Sequence, residues 1–124
     1  WNAVAVPGTF TAWSSGKPVN VAITEWSAAD TYEAVTSFSC SSGLYTSNKT
    51  TITWNSPSPG GIGSNTTALR MVATHEFGHA YGLNHMSTTC NGTKTVMVQG
   101  KTKWSCSWGT EPWQDDINGV DAIY

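Results

Sequence analysis

The chain has 124 residues, a length that suits one domain with a single core. Only 11% of its residues are charged and the net charge is −2, which gives no electrostatic ground for binding nucleic acid or an acidic membrane. No apolar run reaches membrane-spanning length.

Trp1-Asn2-Ala3-Val4 precedes a break at Pro7-Gly8. Thr9 to Trp13 is a short β-rich run, and Ser14 to Pro18 is a turn. Val19, Val21 and Ile23 alternate with polar or small residues, which predicts a half-buried strand. Trp26 to Phe38 is open between a helical turn and a loop around Thr31 to Val35. Ser39 to Lys49 is polar and turn-like and carries Cys40. Thr51 to Asn55 alternates again, with Ile52 and Trp54 on one face. Ser56 to Ser64 is a Pro/Gly breaker loop, with no lysine at the spacing of a phosphate cradle.

Ser64, Asn65 and Thr66 are N-cap candidates for a helix running from about Ala68 to Tyr81, with Leu69, Ala73, Phe77 and Ala80 as its apolar stripe. This helix carries His75-Glu76-Phe77-Gly78-His79, followed by Gly82 and His85: HExxHxxGxxH. His75 and His79 stand one turn apart on one helix face and can share a divalent zinc. Glu76 lies one residue round, placed to reach water on the metal. Gly82 accepts left-handed backbone angles, so the chain can turn there and return His85 as a third ligand. All three histidines of the chain fall in this motif. The bland alternatives are a helix surface with two exposed histidines, or a closed structural site completed by a cysteine.

The motif resembles that of the metzincin metallopeptidases, and its flanks look most like the matrixin branch. Val72 to His85 is similar to the active-site helix of that branch, Thr95 to Gly100 to its Met-turn, and Gln114 to Val120 with Ile123-Tyr124 to its C-terminal helix. The resemblance implies an α+β zincin fold: a small twisted mixed sheet on the active-site helix, then a Met-turn and a C-terminal helix. It implies one catalytic domain over 1–124, with the sheet part in 1–64 and the helical part in 65–124. It implies one catalytic zinc held by His75, His79 and His85, Glu76 as general base, Met97 as an apolar floor, and one of Asp115 and Asp116 buried against the Met-turn backbone. The strand at Thr51–Asn55 would lie near the edge that an extended peptide substrate pairs with. Trp1–Val4 would be the tail of a longer first helix, so that the chain starts inside the family's domain.

Cys90 and Cys106 flank the Met-turn region, and a bridge between them would stabilise by roughly 3 kcal/mol in the chain-entropy model. That suits an oxidising compartment and a secreted protein; Cys40 is left over. Pro112 suits the start of the last helix, where Trp113, Ile117, Val120 and Tyr124 share a face. Lys94, Lys101 and Lys103 read as a solvated group. Asn48, Asn65 and Asn91 begin sequons.

Some positions depart from the family pattern. No histidine remains for the second zinc of animal matrixins, Met86 stands where a serine usually follows the third histidine, and Gln99 stands where astacin-like relatives have tyrosine. Glu25, Asp30 and Glu33 are too few to assign calcium sites. The expectation is a secreted, monomeric zinc endopeptidase acting on protein or peptide. The alternatives are a carbohydrate- or surface-binding module built on the seven tryptophans, or an inactive zinc-binding domain.

Overall fold

The computed structural model describes residues 1–12, 21–26, 33–38, 40–41, 44–45, 50–55, 65–100 and 102–124. The fold is α+β, a small mixed sheet and helices, and it divides into two compact units, Thr11–Ser64 and Trp1–Phe10 with Asn65–Tyr124.

In the first unit, β1 (Val21–Trp26), β5 (Thr50–Asn55) and β2 (Ala34–Ser37) form a three-stranded sheet in the order β1-β5-β2. β5 runs parallel to β1, with Ile23 opposite Ile52, and antiparallel to β2, with Thr36 opposite Ile52. β5 is therefore the central strand. Both sides of its backbone ladder are occupied, so β5 itself is not an edge strand and lies one strand in from each edge of this sheet. Its alternation reflects that place, with Thr50 and Ile52 buried on one face. Ile23, read as part of a half-buried strand, is 62% exposed, and Val19 lies outside the described residues. The stretch left open at Thr31–Val35 includes the start of β2. β3 (Cys40–Ser41) and β4 (Leu44–Tyr45) make a minimal antiparallel pair within the stretch read as turn-like.

The second unit is built on α1 (Thr66–Ala80), α2 (Thr102–Ser105) and α3 (Gln114–Ile123). Asn65 caps α1, its side chain accepting from the Ala68 amide at 3.1 Å. The deepest line along α1 is Ala68, Met71, His75 and Gly78; of the expected stripe Ala80 is buried, whereas Leu69, Ala73 and Phe77 are half-buried. The helix is rotated from the expected stripe because its histidine side packs on segment 95–98. The core joins Tyr81, Leu83, Val96, Met97 and Val120.

Trp1–Val4 forms a turn closed by the Val4 amide on the Trp1 carbonyl, 3.1 Å. The Trp1 indole donates to the Thr74 carbonyl at 2.7 Å and packs against Tyr81, which fastens this segment to α1. Asn2 exchanges two hydrogen bonds with the Phe10 backbone, and the Phe10 ring packs on Phe77 and Tyr81. Cys90 and Cys106 form a disulfide.

Candidate metal centre

The C-terminus of α1 shapes the site. Tyr81 is its C-cap, and Gly82 follows with φ +98°. The Gly82 amide donates to the His79 carbonyl at 2.9 Å and the Leu83 amide to the Gly78 carbonyl at 3.1 Å. These two bonds make a Schellman cap, which needs a left-handed residue where Gly82 stands. The turn then aims the Leu83 carbonyl back at the helix, where it meets Nδ1 of His79 at 2.7 Å. It also returns His85 to the helix face.

The three rings meet through one nitrogen each. His75 Nε2 lies 3.2 Å from His85 Nε2 and 3.2 Å from His79 Nε2, and the His79–His85 separation is 3.1 Å. Nδ1 of His75 faces the Val96 carbonyl at 2.7 Å. A carbonyl only accepts, so Nδ1 carries the proton on both His75 and His79, and each neutral ring turns a lone pair inward at Nε2. Acceptors this close repel one another unless a cation lies between them. Three tetrahedral corners around zinc, with bonds of about 2.0–2.1 Å, stand roughly 3.4 Å apart, so the donor set fits the ion in type and in spacing. Among the described residues, this group has three members and no carboxylate or thiolate completes it.

The electrostatics favour neutral, metal-ready imidazoles. Burial is the main cause that pushes His75 down to about 2, and the nearby Lys103 charge pushes the same way. His79 and His85 are also lowered, again chiefly by burial. Glu76 is buried, 5% exposed, and its charge acts on His85 and on Lys103 in the sense that favours their cations.

Segment 95–98 packs on α1 at His75 and Gly78. Met97 is 2% exposed, and a β-carbon placed on Gly78 would collide with its sulfur, so helix and methionine approach as closely as glycine allows. The Met86 amide donates to the Met97 carbonyl at 3.0 Å. Asp116 is buried and Asp115 exposed. Asp116 accepts from the Val96 amide at 3.0 Å, from the Trp113 amide at 2.8 Å and from the Thr95 hydroxyl. Burial raises its carboxyl pKa, while these donors pull it the other way.

Two participants were not read from the sequence. One is the pair of backbone carbonyls, Val96 and Leu83, which no side-chain motif announces. The other is Lys103, expected in a solvated group but only 6% exposed. Its ammonium donates to the Val96 carbonyl at 3.3 Å and to the Val98 carbonyl at 3.2 Å. Of the others in that group, Lys94 is exposed with its ammonium 4.6 Å from the Trp113 ring centre, and Lys101 lies outside the described residues.

Compared with known proteins, the family model described as Matrixin matches residues 11–124. No curated protein and no solved structure matches the chain.

Proposed function

The chain belongs to the matrixin family, and from that premise we propose that it is a secreted zinc endopeptidase with Glu76 as its general base. The observation that carries the reading is the convergence of three Nε2 atoms within 3.2 Å of one another, on the helix that also carries Glu76. His75, His79 and His85 would hold the ion. When bound, zinc supplies Lewis acidity, enough to bring the pKa of water to about 7 and to polarise a carbonyl. Glu76 takes the proton of the attacking water and delivers it to the leaving amine. The Val96 and Leu83 carbonyls hold the rings in the tautomer that ligates, and Met97 is the apolar floor beneath them. Residues 1–124 act as one catalytic domain.

Secretion is supported by the Cys90–Cys106 disulfide. The substrate is protein or peptide, and the low charge offers nothing to nucleic acid. The sugar-binding alternative is weakened by the tryptophans themselves: Trp108 is buried, and Trp1 and Trp113 pack against the core cluster. Of the rest, Trp13 lies outside the described residues.

The test is cleavage of casein with and without a chelator, by the protein itself and by Glu76→Ala. The expected result is one zinc per chain in both proteins, with the variant's rate lower by a factor of about 10²–10⁴. Zinc-loaded protein that cleaves nothing would favour the inactive zinc-binding domain. Full activity in Glu76→Ala would remove that residue from the mechanism.

A further inference from the structure

Lys103 is buried beside the metal centre without being one of its ligands. Its ammonium lies on the Val96 carbonyl, the same oxygen that receives the Nδ1 proton of His75. Its second bond, to the Val98 carbonyl, makes it span the segment that carries Met97. We propose that Lys103 is a positioning residue that trims zinc affinity: it draws on the carbonyl that orients His75, and as an ammonium it brings positive charge to the shell behind that ligand.

Two effects act in the same direction. A carbonyl that already accepts from an ammonium is a poorer acceptor for the imidazole N–H, so the His75 ring is a weaker donor at Nε2. A cation in a partly desolvated site also repels a divalent ion more strongly than it would in water. Burial lowers the pKa of the Lys103 ammonium to about 8, and the charges of Glu76 and Asp116 act the other way, in favour of the cation. A centre trimmed in this way holds zinc less tightly than its three imidazoles would alone, and leaves the ion more electron-poor.

This inference rests on the zinc reading, and the experiment separates the two. Apo proteins are titrated with zinc alone at pH 7.5, in competition with a chromogenic chelator. Lys103→Met and Lys103→Gln should bind zinc roughly tenfold more tightly than the unaltered chain. Lys103→Arg should stay within about twofold, since the charge is kept. A lysine that served only as scaffold would give the opposite sign, because a loosened site binds more weakly. Equal or weaker binding in the neutral variants therefore overturns the assignment. Circular dichroism checks the fold; if Lys103→Met does not fold, Lys103→Gln, which can still donate a hydrogen bond, decides. Failure of both neutral variants to fold beside a folded Lys103→Arg also overturns it. An unaltered chain that takes up no zinc removes the metal centre, and this inference with it.

Discussion

Asp116 does its work at one remove from the histidines. It collects the Val96 amide, the Trp113 amide and the Thr95 hydroxyl, and so fixes the segment whose carbonyl orients His75. Asp116→Ala leaves these donors buried and unsatisfied, which should cost about 2–4 kcal/mol in urea unfolding of the chelator-treated protein. Asp116→Asn keeps one acceptor oxygen and should cost less; equal stability in the alanine variant would refute this account. At this scale the sequence was partly legible. The spacing of His75, His79 and His85 is a local regularity, so the triad could be read directly. An aspartate at a helix start is a familiar first-turn residue, and only resemblance suggested that one of the pair is buried. Lys103 could not be read at all, because nothing local distinguishes a lysine that folds inward to reach two carbonyls from one that extends into solvent.

Among the elements, α1 and its terminus decide the site. Gly82 has φ +98°, where a β-carbon is strained, and the cap it makes places both the Leu83 carbonyl and His85. Gly82→Ala should destabilise by about 1 kcal/mol and should weaken zinc binding as well, since the ligand and the turn move together. Zinc titration beside thermal unfolding checks both, and a stability loss with unaltered affinity would separate the turn from the metal. The helix, its cap and its stop were legible because each has a local signature: Asn65 before the run, glycine after it. The burial stripe was not, because which face of a helix is covered depends on a segment twenty residues further on. The same holds for β5, whose alternation announced a strand but not its central place, which is set by pairing with β1 and β2.

For the whole molecule, the buried histidines tie stability to pH. The three folded-state values lie below the unfolded 6.5, so their contribution is complete above pH 6.5 and is lost as pH falls toward the folded values. His75 dominates, being buried, while exposed His85 adds little. The slope approaches about 1.4 kcal/mol per pH unit for each such histidine. Asp116, with its pKa raised, acts in the opposite sense, since its own protonation on acidification relieves the cost of a buried charge. In excess chelator the chain should therefore be less stable at pH 5.5 than at pH 7.5 by about 1–2 kcal/mol, measured by urea unfolding. An unchanged midpoint would contradict it.

The amides of Gly82 and Leu83 are donors in the helix cap, and that cap presents two of the three ring nitrogens. An ion that clamps those rings also holds the cap shut. The rate at which these two amides trade hydrogen for solvent deuterium thus becomes a gauge of metal occupancy, readable without a substrate and without a probe on the ion itself.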